Sequence, residues 1–135
     1  MIQNKSMTRA AKKRWASFYL DLSGTINKPT IIYDPENPIL LHRADLIYTV
    51  ATDANATTEG IQIGTTAGAA TYMAVYAPLA SQTVGTVVSM TLLKTFLPAA
   101  TALIITRDAF VGSATQTGEV ALVVWYEVLD RSPKK

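Results

Sequence analysis

Few residues in this chain have the chemistry for catalysis or metal binding. His42 is the sole histidine and there is no cysteine, so disulfides, thiolate metal centres and cysteine nucleophiles are excluded. A Ser–His–acid triad would need that one imidazole exposed in a cleft beside a serine. His42 instead alternates with Leu40 and Ala44 on an apolar face, which predicts a packed, hydrogen-bonded histidine. A transition-metal site would have to be built mostly from carboxylates, and none cluster at ligand spacing. Asp53, Asn55 and Glu59 share a loop and carry oxygens suited to calcium, but they lack the glycine and ligand repeat of a calcium loop, so turn chemistry accounts for them. Asp34 and Glu36 sit two apart in a proline turn and are expected to face solvent, whereas general acid catalysis needs a desolvated carboxyl. Asn55-Ala56-Thr57 fits the glycosylation pattern by chance, and Gly60, Gly64 and Gly68 are too far apart to cradle a phosphate. The expectation is a protein without catalytic residue, metal or cofactor, and not an enzyme.

What remains is charge. Residues 1–14 hold five bases (Lys5, Arg9, Lys12, Lys13 and Arg14) and no acid, and residues 131–135 add Arg131, Lys134 and Lys135. The body between them has Lys28, Arg43, Lys94 and Arg107 against all ten acids, so the formal net charge of +2 conceals basic ends on an acidic body. Such ends suit an arm that reaches onto an acidic partner or a neighbouring copy, or simply charged termini that keep the protein in solution. Lys12-Lys13-Arg14-Trp15 joins the basic cluster to an aromatic, as nucleic-acid binders do. Trp15 is expected to anchor the first strand in the core, which leaves the charges to do the binding. The candidate partner-binding segment is therefore Lys5, Arg9, Lys12, Lys13 and Arg14, with Trp15 at its end.

The elements that must position this segment read as strands. Gly118 to Asp130 alternates strictly, with Val120, Leu122, Val124, Tyr126 and Val128 on one face. Its other face (Ala121, Val123, Trp125, Glu127 and Leu129) is so weakly polar that the strand is expected mid-sheet, covered on both sides. Upstream, strands are predicted over 15–22, 28–33, 39–51, 60–64, 71–76, 83–93 and 103–107. In the third, Leu40, His42, Ala44, Leu46, Tyr48 and Val50 form the expected core face. Asp34-Pro35-Glu36-Asn37-Pro38 makes a rigid turn, and Ser/Thr/Gly loops separate the later strands. About eight short strands with no confident helix in the body predict a single all-β antiparallel sandwich, jelly-roll-like. The domain plan is a basic N-terminal arm (1–14), a β-sandwich (15–130) and a basic C-terminal tail (131–135). No apolar leader or run near the roughly 18 residues of a membrane span is present, so the chain reads as a soluble protein made in the cytosol. Few charges from Gly60 to Thr106 suggest either a surface covered by other subunits or a large core.

IYTVATDANATTEGIQIGTTAGAATYMAVY, LPAATALIITRDA and TGEVALVVWYEVLD resemble small tailed-bacteriophage virion proteins, in strand rhythm and in the strand–IGT–small-residue-loop style over Ile47 to Asp130. In that family β-sandwich subunits decorate or cement the capsid, commonly as oligomers; the basic arm has no counterpart in the family pattern. The resemblance implies a capsid-bound, non-enzymatic homo-oligomer, with a trimer favoured, whose partners are the major capsid protein and copies of itself. Two other readings are a small-virus coat protein whose arm binds nucleic acid with steep salt dependence, and a carbohydrate-binding module using Tyr72, Tyr76 and Tyr126. Eight terminal bases are few for packaging a genome, and Tyr126 falls with the aliphatic set.

Overall fold

The computed structural model describes residues 11–29, 32–55, 59–107 and 115–129. These hold nine strands and no helix: β1 (Ala11–Asp21), β2 (Ile26–Pro29), β3 (Ile39–Val50), β4 (Ile61–Gly64), β5 (Met73–Tyr76), β6 (Val87–Ser89), β7 (Phe96–Leu97), β8 (Ile104–Arg107) and β9 (Glu119–Leu129). Lys5, Arg9, Arg131, Lys134 and Lys135 lie outside the described residues, as does part of the Asn55-Ala56-Thr57 sequon.

Two antiparallel sheets form. One runs β1-β9-β3-β6, with β7 also pairing β3, and the other runs β2-β8-β4-β5. With the two-residue β7 set aside, the pairs nest: β1 with β9, β2 with β8, β3 with β6 and β4 with β5. Described parts of the β1–β2, β3–β4, β5–β6 and β8–β9 connections meet in a loop cluster, at Leu22, Asn55, Pro78, Leu79 and Gln116.

β9 lies at the middle of the larger sheet, paired along its full length with β1 from Ala11↔Leu129 to Asp21↔Glu119, and with β3 on its other side. Its inner face buries Val120, Leu122, Val124 and Tyr126 against Ala16 and Leu20 of β1 and Ala44, Leu46 and Tyr48 of β3. The second sheet closes this core with Ile26, Ile61, Ile63, Met73 and Ile105. Each fully buried aliphatic contributes roughly 1.5–3 kcal/mol of transfer free energy before entropy is counted. The position of β9 is as the alternation predicts, but its other face is only partly covered: Ala121 is buried while Val123, Trp125 and Glu127 are partly exposed.

Two departures from strict alternation have local causes. In β3 the pairing shifts between Leu41↔Tyr126 and Arg43↔Trp125, a bulge that sets two residues against one and reverses the phase of the side chains. Ile39 and Leu41 therefore face inward before it and Ala44, Leu46 and Tyr48 after it, while His42 and Arg43 both face out. The expected core placement of His42 and Leu40 is thus corrected. The predicted 83–93 strand shrinks to Val87–Ser89 because residues 83–86 make a turn, in which Thr86 N–H donates to Thr83 C=O at 3.2 Å and Gly85 takes φ of 92°. The chain then bridges Leu92 to Met73 and adds the unpredicted β7, whose Leu97 pairs with Ile39.

The loop cluster is tied by buried polar groups. Arg107, fully buried, donates from Nη1 to Leu22 C=O at 3.1 Å and from Nη2 to Gln116 Oε1 at 3.3 Å. Burial pulls its pKa below the ordinary guanidinium value, and the nearby charge of Glu59 opposes this. Gln116 Nε2 in turn donates towards the carbonyls of Pro78, Leu79 and Asn55 at 3.1, 3.2 and 3.4 Å. Thr52 Oγ1 donates to Leu79 C=O and accepts from Gln82 N–H.

Candidate partner-binding surface

β1 begins at Ala11, four residues earlier than expected, so residues 11–14 assigned to the arm are strand. The alternation of β1 then decides where each side chain goes. Ala16, Leu20 and the following Leu22 are buried, which sends Lys13, Trp15, Ser17, Tyr19 and Asp21 to the outer face. All five are exposed, Trp15 at 66% and Tyr19 at 58%. The expectation that Trp15 anchors the core is overturned by this parity: Trp15 cannot share a face with Leu20 and Leu22. Arg14 is exposed on the opposite phase, and its charge acts on Asp34 in the β2–β3 connection. The candidate segment is therefore split, with Lys13 and Trp15 on the outer face and Arg14 on the opposite phase.

The outer face continues across the sheet. Trp15 lies opposite Trp125, Lys13 opposite Glu127, Ser17 opposite Val123 and Tyr19 opposite Ala121. From β3, Arg43 pairs with Trp125, Asp45 with Val123 and Ile47 with Ala121. The Arg43 guanidinium sits 5.0 Å from the Trp125 ring centre, a cation–π contact. It also donates in a fork to Asp45, Nη2 to Oδ2 at 2.6 Å and Nε to Oδ1 at 3.3 Å. The fork covers Asp45, which is buried. His42, its side chain 40% exposed, is hydrogen-bonded to Glu127. The histidine is thus hydrogen-bonded as expected, but on the solvent side.

The other chemistry-bearing residues are engaged locally. The amide N–H of Glu36 is the main influence holding the Asp34 carboxyl below its usual range. Asp53 accepts from the Asn55 N–H, the Asn55 side-chain amide and the Thr117 hydroxyl, so its oxygens serve the turn. Among the three tyrosines considered for sugar binding, Tyr72 is buried and its hydroxyl donates to Phe96 C=O. Tyr76 shares a 2.7 Å hydrogen bond with Tyr48, and Tyr126 is buried. The exposed aromatics among the described residues are Trp15, Tyr19, Tyr33 and Phe96, and Trp15 and Tyr19 share the outer face with the partly exposed Trp125. Their positions were readable from two-residue periodicity in β1 and β9, but the pairing that brings the tryptophans together was not. Comparison of the chain with protein-family models, curated proteins and solved structures finds no match.

Proposed function

We propose that the protein is a virion structural protein that decorates or cements an icosahedral phage capsid as a homo-oligomer. The observation that carries this reading is the nested strand order β1-β9-β3-β6 over β2-β8-β4-β5. We read this two-sheet sandwich as jelly-roll-like, an architecture recurrent in capsid domains. It accords with the resemblance in Ile47–Asp130, and the exposed aromatic face of the larger sheet offers the apolar surface that assembly would cover. In this reading the protein is non-enzymatic, its partners are the major capsid protein and its own copies, and Lys5 and Arg9 with the start of β1 reach onto an acidic neighbouring surface. Each exposed contact is weak, and repetition over the lattice supplies the affinity.

The test is gradient sedimentation of particles from producing cells, probed with an antibody against the chain. Co-migration with particles in stoichiometric amount supports the reading, and recovery only among free proteins refutes it. Removal of residues 1–10, which leaves β1 intact, should abolish co-migration while the β-sheet circular-dichroism signal is retained. Salt-sensitive binding of single-stranded nucleic acid by the full chain would favour the coat-protein alternative instead.

A second reading rests on Trp15 lying opposite Trp125 on the outer face of the larger sheet. Jelly rolls also serve as lectin domains, and paired indoles could stack on sugar rings. A glycan array without hits, or with hits unaffected by Trp15→Ala, would remove it.

A further inference from the structure

β1 is the longest edge strand among those described, at eleven residues, and no described strand pairs with its outer side. The other edges are shorter: β6 has three residues and β2 and β5 have four each, with Pro29 closing β2. A long open edge is a template for another strand.

The hydrogen-bond direction identifies which residues offer that template. Leu22 N–H donates to Gly118 C=O at 3.0 Å, continuing the β1–β9 register, so the even-numbered residues exchange bonds with β9. Lys13, Trp15, Ser17, Tyr19 and Asp21 consequently turn their N–H and C=O groups outward. Lys28 Nζ, which donates to Tyr19 C=O at 2.9 Å, fits that direction. The order of these five residues is self-complementary: base, aromatic, serine, aromatic, acid.

We propose that β1 pairs with β1 of a second copy, antiparallel about a two-fold axis at Ser17. This register sets Lys13 opposite the second copy's Asp21 and Trp15 opposite its Tyr19, each twice, on the same outer face. Cross-strand pairs of opposite charge and of aromatics are the stabilising kinds, and the charges oppose a one-residue-pair slip of register. The exposed Lys28 swings off Tyr19 C=O as the second strand arrives. Because the contact is isologous, it closes at two copies and consumes the open edge. An even-numbered assembly thereby replaces the trimer expected from sequence. The proposal stands independently of the capsid reading. One strand pair with its aromatics is a small interface, below about 1,200 Å², so dimerisation is expected to depend on concentration.

The experiment uses the full-length chain. Light scattering behind size exclusion should give twice the 14.6 kDa chain mass at high concentration, falling towards the monomer on dilution. Ser17→Pro removes an outward N–H that β9 does not use, and should shift the equilibrium to monomer without changing the circular-dichroism spectrum or melting temperature. The chain has no cysteine, so Ser17→Cys places one thiol at the axis. Hydrogen-bonded antiparallel pairs bring Cα atoms to about 5.5 Å, within disulfide range. Mild oxidation should link Ser17→Cys into dimers far faster than Ser89→Cys on the β6 edge. Asp21→Lys should weaken dimerisation at least tenfold, and adding Lys13→Asp should restore it. A monomer at every concentration, a dimer untouched by Ser17→Pro, equal cross-linking at both cysteines, or failure of the charge swap to rescue would overturn the proposal.

Discussion

Gln116→Ala should be among the most damaging single substitutions outside the apolar core. Gln116 is fully buried at the loop cluster and joins four partners: it accepts from Arg107 Nη2 and donates towards the carbonyls of Asn55, Pro78 and Leu79. An amide nitrogen has only two hydrogens, so the three carbonyls share two bonds. Losing an acceptor for a buried charged donor costs about 1.5–3 kcal/mol, and two neutral bonds add about 1 kcal/mol each. The expected loss is therefore about 3–5 kcal/mol, a large part of the roughly 5–15 kcal/mol a domain has. At about 4 °C per kcal/mol for this size, the melting temperature should drop by about 12–20 °C. Urea unfolding should show a lower midpoint at unchanged slope. Thr115→Ala, which keeps the Thr115 carbonyl that Asn55 uses, should stay within about 0.5 kcal/mol. A loss below about 1 kcal/mol for Gln116→Ala would refute the view that this network holds the loops together.

Other outcomes follow from the same geometry. Gly118 has φ of 133°, and a Cβ there would lie 2.9 Å from Thr52 Cγ2 and 3.2 Å from Ala51 C=O; Gly118→Ala should cost about 1–3 kcal/mol by thermal denaturation. Trp15→Ala, on the exposed face, should change stability by no more than about 0.5 kcal/mol, whereas Leu20→Ala, on the buried face of the same strand, should cost about 2–5 kcal/mol; similar losses for both would mean that Trp15 is packed. Asp34 has a folded pKa below its usual 3.8, chiefly through the Glu36 N–H. Its contribution is therefore present above pH 3.8 and lost as pH falls through the lower folded value, and Asp34→Asn should flatten the dependence of the urea midpoint on pH in that range. Burial, then the bond with Tyr48, raises the Tyr76 pKa well above its usual 10.0. Ionisation then opposes folding as pH rises above 10, and Tyr76→Phe should reduce the alkaline loss of stability.

The strands with the strongest two-residue rhythm were legible because their alternation and their burial agree. β9 is the clearest case: Val120, Leu122, Val124 and Tyr126 face the core as their spacing requires. β3 was legible as a strand but not in its facing, since a bulge is a two-against-one pairing with β9 and leaves no mark in β3 alone. β7 was invisible for a related reason. Two residues, Phe96 and Leu97, have no rhythm, and they are strand only because β3 lies beside them. Local pattern identifies which segments extend, while phase and partner depend on chain distant in sequence.

The surface was misread where residue type was weighed above position. A core position for Trp15 conflicts with the parity of its own strand, since Leu20 and Leu22 are buried on the opposite phase. Large aromatics are usually at least partly covered, so an exposed Trp15 and Tyr19 on a long edge strand constitute a departure with information in it. The same strand carries Lys13 and Asp21 on the same face, near its two ends. A face that only kept the protein in solution would have no need of two large aromatics between those charges, and a core face would have no place for the charges. A surface that another strand covers accounts for both, because apolar area is removed from water at the centre while opposite charges set the register at the ends. Of the basic cluster, only Lys13 would take part in that pairing, opposite Asp21 of the second copy.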